Sequence, residues 1–206
     1  MISPMLKATT QAASLAVLFV FGNIANAGEL FPVDPQDSFV KFFGESLLHN
    51  FHGEAKAITG GAELDLNATP PIQKASLEFK TAALSTFNDA RDVKMKEWLH
   101  IDVHPNATFS LDSVKPLAGD YKTADKQHPA QFTVAGTLTL NGKKQPLIGT
   151  ALGWRETNRL IVTGDANVDT LKYGLPQIRM AVITVSTNVK TSYRLSFLLP
   201  VKYSPK

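Results

Sequence analysis

The 206 residues include no cysteine. That excludes a disulfide framework, thiolate metal centres, a cysteine nucleophile and a lipidated N-terminal cysteine. Charge of one sign is also scarce: 21 Lys and Arg stand against 18 Asp and Glu, a net of +3. A balance so small and so evenly spread argues against nucleic acid as a partner. Beyond the N-terminal segment no apolar run approaches the roughly 20 residues that a spanning helix needs. There is no G-x-S-x-G, no H-E-x-x-H and no glycine-rich phosphate loop. Ser, His and Asp all occur, but not with the spacing of a triad, so an enzyme is not expected. What is present is an ordinary globular composition, 44% hydrophobic, which excludes wholesale disorder.

Residues 1–27 read as a secretory signal. Lys7 gives a thin positive start, and an uncharged, mostly apolar run from Ala12 to Phe21 follows. Ala25-Asn26-Ala27 supplies the small residues that signal peptidase accepts, which predicts cleavage before Gly28 and a mature domain over 28–206. An exported chain without cysteine suits a bacterial periplasm.

Most of the remainder alternates with a period of two, the mark of half-buried strands. Strands are expected over Ser38–Phe42, Ala62–Asn67, Ala75–Thr81, Thr108–Asp112, Gln131–Leu140, Leu147–Trp154, Leu160–Val168 and Ile183–Leu199. Asn141-Gly142 is a strong hairpin signal between two of them. Asn88 to Leu99 breaks the alternation. Asn88 fits an N-cap, Asp89 suits the first turn, and Met95, Trp98 and Leu99 fall at i, i+3 and i+4. The expectation is all-β: eight antiparallel strands and one short helix, arranged as a sandwich or a closed barrel.

Small residues recur where a packed core would carry bulky ones. Gly60, Gly61 and Ala62 cluster; Gly149, Ala151 and Gly153 share a face, as do Gly164 and Ala166. Tight bends explain them, and so does a hollow interior. His49, His52, His100 and His104 could bring metal ligands together if their loops met, yet no carboxylate or cysteine stands at a fixed ligand offset. Arg91-Asp92, on an otherwise apolar helix, must face water or find partners.

Five segments in order resemble the YceI-like family. They are Val33–Phe42, with Asp34 and Ser38; His49-Asn50-Phe51-His52-Gly53; Arg91-Asp92 with Met95, Trp98-Leu99, Pro105 and Phe109; Gly136–Gly142 with Pro146; and Asp169–Gly174. Asp37 departs from a His common in the family, and Tyr173 from a Phe. The resemblance implies an eight-stranded lipocalin-like barrel with an elongated apolar cavity. It implies a long-chain amphiphile as ligand: a polyisoprenoid, an isoprenoid quinone or a fatty amide. Homodimers are also implied, and the long C-terminal strand would offer an edge for pairing. No cofactor and no metal are expected.

Alternation then assigns the cavity lining to Phe42, Leu64, Leu77, Phe79, Phe109, Leu111, Phe132, Val134, Leu138, Leu147, Leu160 and Val162. The helix would close one end with Met95, Trp98 and Leu99 inward. Arg91 would either anchor this cap or meet a ligand head group. The expected function is a periplasmic carrier or sequestering protein for such a lipid. Two rivals stand beside it: a metal-assisted hydrolase using the loop histidines, and an interaction module with a filled barrel.

Overall fold

The computed structural model describes residues 29–46, 50–180 and 183–200. The expected leader and its cleavage site lie outside these residues, as does His49. In chain order the strands are β1 (Glu29–Pro32), β2 (Phe39–Gly44), β3 (Phe51–Lys56), β4 (Thr59–Leu64) and β5 (Ile72–Lys80). A helix, α1 (Asp89–Trp98), precedes β6 (Asn106–Ala118), β7 (Ala130–Leu140), β8 (Lys143–Glu156) and β9 (Arg159–Asp169). Two short strands, β10 (Arg179–Met180) and β11 (Ile183–Thr184), lead to β12 (Asn188–Leu198).

Among the described residues, ten strands form one antiparallel sheet in the order β1-β4-β5-β6-β7-β8-β9-β12-β2-β3, and β10 and β11 pair separately. The sheet curls, and its ends are stitched by single bridges rather than by a full ladder. The Val33 amide donates to Gly60 O on β4 and the neighbouring Asp34 amide to Ser196 O on β12, at 3.0 and 2.8 Å. At the opposite end Glu54 of β3 and Ser85 exchange two backbone hydrogen bonds of 2.8 and 2.9 Å. The fold is thus the expected all-β, lipocalin-like one.

The strand count corrects the expected eight. β1 is too short to show alternation. In β3 the inward positions are Phe51, Gly53 and Ala55, and two residues so small hide the pattern. Gly53 is required there: a Cβ would lie 2.3 Å from the Phe42 ring, which covers it from β2. The strand expected over 62–67 begins and ends three residues earlier, at Thr59 and Leu64. The long C-terminal strand divides, because Ile183–Thr184 folds back on Arg179–Met180 before β12 starts at Asn188.

The hairpin at Asn141-Gly142 forms as expected, with φ of 48° and 68° at its two central residues. So does the N-cap: Asn88 Oδ1 accepts from the Arg91 amide at 3.0 Å. The other end of α1 is a Schellman closure, with His100 N donating to Glu97 O and Ile101 N to Lys96 O. His100 holds the left-handed position, φ 51°, where glycine is usual.

Candidate ligand-binding cavity

The curl encloses a cavity of about 870 Å³. Its walls are the inward faces of the strands. β8 contributes Leu147, Gly149, Ala151 and Gly153; β9 contributes Leu160, Val162, Ala166 and Val168; β12 contributes Val189, Thr191, Tyr193, Leu195 and Phe197. Small residues therefore do two jobs. Ala151, Gly153 and Ala166 leave room inside, whereas a Cβ at Gly149 would lie 2.5 Å from Asp165 O. Gly164 serves a close approach: the Tyr193 ring lies over it, with the hydroxyl donating to Thr150 O of β8 at 3.0 Å. Burial, followed by the charge of Asp165, pushes the Tyr193 phenol well above its usual range.

Among the residues expected at the site, Phe42, Leu77, Phe79, Phe109, Leu111, Phe132, Val134, Leu138, Leu147, Leu160 and Val162 line this cavity. From α1 and its end, Arg91, Met95, Trp98 and Leu99 do so too. Leu64 is the correction. It is 4% exposed and packs in the core with Phe31, Val33 and Ala62, where β1 pairs along the edge of β4. Sequence reasoning missed the five residues of β12, together with Val40, Ile58 and Tyr121. The β12 set alternates cleanly against Lys190, Ser192, Arg194 and Ser196, but a strand run from Ile183 conceals it.

The two ends differ. At the closed end the buried Phe31, Ile58, Tyr121, Leu160 and Phe197 pack together. Burial pushes the Tyr121 phenol up to about 12, against a small opposing effect of Arg155. A polar cluster pins this end. Arg194 grips Asp37 through two bonds of 3.0 Å, while Arg159 reaches Asp34, Asp37 and the Ser196 hydroxyl.

The other end is the mouth, and a chain of contacts rings it. Arg91 stacks on the Phe51 ring at 4.7 Å, and Phe51 lies over Gly44. The Ser186 amide donates to Glu45 O at 2.8 Å, Gln177 Nε2 to Val185 O at 3.2 Å, and Trp98 Nε1 to Pro176 O at 2.8 Å, which returns to α1. Asn88, Lys94 and Arg179 also line this part of the cavity.

Arg91 and Asp92 do not pair with each other. Both bind the segment before α1. Asp92, 8% exposed, accepts from Ser85 Oγ at 2.8 Å and from the Thr86 amide at 2.7 Å and hydroxyl at 2.5 Å. Burial raises its pKa, but these bonds outweigh burial and hold the carboxyl below its usual range. Arg91 donates to Thr86 Oγ1 and O at 2.8 and 2.9 Å. It anchors the cap while its guanidinium borders the cavity.

The histidines are dispersed over local tasks. His52 is exposed and tilts on Phe87, with ring centroids 5.6 Å apart. Asn141 Nδ2 donates to Tyr173 O, so its Oδ1 accepts from His100 Nδ1 at 3.0 Å. His104 lies against Gly142 and its carbonyl accepts from Thr81 Oγ1. Among the described residues no three His, Asp or Glu side chains gather as a metal site. No described helix is long and apolar enough to cross a membrane.

Known proteins resemble this chain in sequence or in fold. A UPF0312 protein of Azotobacter vinelandii is 28% identical over 148 residues, 70% of this chain and 71% of its own. The structure of Burkholderia cenocepacia BcnA superposes with a TM-score of 0.66 at 15% identity, over 80% of this chain and 98% of that one. A polyisoprenoid binding domain from Saccharophagus degradans gives 0.62 at 16% identity, over 84% and 100%. The YceI-like domain matches residues 31–197, nearly the whole described sheet, and the chain belongs to that family.

Proposed function

We propose that this protein binds a long-chain amphiphile and carries or sequesters it in the periplasm. One observation carries the reading: a cavity of about 870 Å³ whose strand walls are almost wholly aliphatic and aromatic. That volume lies in the upper part of the range for small-molecule sites, and polar groups concentrate at the mouth. Each buried methylene contributes about 0.8 kcal/mol, so a long tail binds without any charged contact along the wall. The Saccharophagus neighbour, a polyisoprenoid binding domain, supports a polyisoprenoid as the cargo. An isoprenoid quinone or a fatty amide has the same build. The reading is of a binding protein rather than an enzyme.

Mass spectrometry of an organic extract from natively purified protein tests this. A stoichiometric isoprenoid or other long-chain species is expected. An extract no richer in lipid than that of an unrelated soluble protein would sink the proposal. The periplasmic assignment rests on residues 1–27, and N-terminal sequencing of the exported protein should begin at Gly28.

A further inference from the structure

The mouth carries apolar side chains that face water. Phe87 is 64% exposed, Val93 57% and Leu171 54%. Each adjoins a residue that lines the cavity: Phe87 stands between Thr86 and Asn88, Val93 before Lys94, and Leu171 after Thr170. Phe87 also holds a φ of 60°. That is a strained conformation for a bulky residue, and it is maintained by surrounding bonds. Its amide donates to Ser85 Oγ at 3.1 Å, and Ser85 Oγ in turn donates to the buried Asp92. The fold thus stabilises a backbone strain that keeps an aromatic ring in solvent beside the opening.

Cations on this rim offer contacts to an anionic partner. Lys94 and Arg179 border the opening, and Lys96 lies one turn along from Asp92 on α1. Of the carboxylates nearby, Asp92 is occupied by Ser85 and Thr86, and Glu45 pairs with Lys190. Asp89 and Glu97 are exposed on the helix one turn before and one turn after Val93, and Asp169 accepts from the Leu171 amide. Among the described carboxylate-bearing residues only Glu78 lines the cavity, and it sits on β5 between Thr59 and Thr108 rather than on the rim.

We propose that this rim docks on an anionic phospholipid bilayer, with Phe87 and Val93 entering the head-group boundary and Lys94, Lys96 and Arg179 meeting lipid phosphates. Exposed aromatic and aliphatic groups beside cations are the chemistry by which proteins bind the membrane interface without spanning it. Docking there would place the opening against the bilayer, so that cargo passes between membrane and cavity without crossing water. The inference rests on the lipid-carrier reading, but Phe87, Val93 and Lys96 lie outside the cavity wall.

Vesicle flotation of the purified protein tests it. Phosphatidylcholine vesicles containing phosphatidylglycerol should carry the protein upward, and salt should weaken the association. Phe87→Asn with Val93→Ser should reduce the bound fraction by about an order of magnitude. Asn tolerates the positive φ, so the melting temperature should not fall. Lipid extracted from the double variant should match wild type. Lys96→Glu should reproduce the loss on anionic vesicles. Flotation of the double variant equal to wild type would overturn the proposal. So would wild-type protein that carries lipid yet ignores the vesicles containing phosphatidylglycerol, and that result would leave the carrier reading intact. Extracts without lipid would overturn the carrier reading separately.

Discussion

Asp37 and Arg194, 157 positions apart in the chain, meet in a two-pronged ion pair at the closed end, Nε to Oδ1 and Nη2 to Oδ2 at 3.0 Å each. The pair fixes the turn before β2 to β12, next to the point where Phe39 registers with Arg194. Arg159 extends the network to Asp34 and to the hydroxyl of Ser196, whose amide donates to the Ser38 hydroxyl at 3.0 Å. The cluster closes a sheet whose ladder is incomplete there.

Stability should therefore depend on acid. The hydrogen bond from Arg194 holds Asp37 below the usual carboxylate range, and the Gln36 amide, then Arg159, does so for Asp34. A carboxyl whose pKa is lower folded than unfolded stabilises the fold above the unfolded value of about 3.9 and loses that contribution as pH falls through the folded value. The melting temperature should be level from about pH 7 to 5 and drop below about pH 4. Asp37→Asn should lower it at neutral pH and flatten the acid limb. The pair is partly exposed, so the neutral-pH loss should be about 1 kcal/mol in denaturant titration.

Asp92 should matter more than Arg91. Asp92→Ala removes a buried acceptor and leaves the Thr86 amide without a partner, which should cost about 2–4 kcal/mol. Arg91→Ala loses two bonds to Thr86 and the stack on Phe51, with a cost of about 1–2 kcal/mol. Equal losses, or none, in denaturant titration would contradict the anchoring geometry.

Two glycines on neighbouring strands should behave oppositely. At Gly164 a Cβ would meet Thr150 O at 2.0 Å and the Tyr193 hydroxyl at 2.4 Å. Gly164→Ala must displace backbone or Tyr193 and should destabilise by about 1–3 kcal/mol. At Gly153 the nearest atoms are 3.4 and 3.9 Å away, so Gly153→Ala should be tolerated. Thermal melts of the two variants decide the matter.

His100 should be a structural residue. His100→Ala keeps a side chain in the left-handed region and loses the bond to Asn141, which should cost about 1–2 kcal/mol. His100→Gly relieves the φ and should cost less. A metal-dependent change in the melting temperature of wild type that His100→Gly abolishes would contradict this.

What is legible in the sequence follows from side-chain contrast. Leu77 and Phe79 alternate with Glu78 and Lys80, and Phe132 and Val134 with Gln131 and Thr133, so the residues alone assign their faces. The Asn88 cap and the Asn141-Gly142 turn depend on adjacent residues and are legible for the same local reason. Other features depend on contacts distant in sequence. Leu64 is packed rather than lining because Phe31 and Val33, distant in sequence, share its core. Gly53 hides a strand because its face is completed by Phe42. His100 ends a helix where glycine is the usual signal. Asp34, Asp37, Arg159 and Arg194 read as scattered surface charges until the sheet curls and brings them together.

The cavity between the strands should hold a long apolar tail. Ala151 is 3% exposed on the inner wall, in register with Phe132 and Gly164, and Ala151→Trp would place an indole across the lumen. The direct measurement is equilibrium titration of delipidated protein with a radiolabelled polyisoprenoid, in wild type and in this variant, each first shown to melt cooperatively. Saturable binding by wild type, weakened by at least about tenfold in Ala151→Trp, is the expected result. Equal affinity in the two proteins, with the variant folded, would contradict the claim and place the lipid outside the barrel.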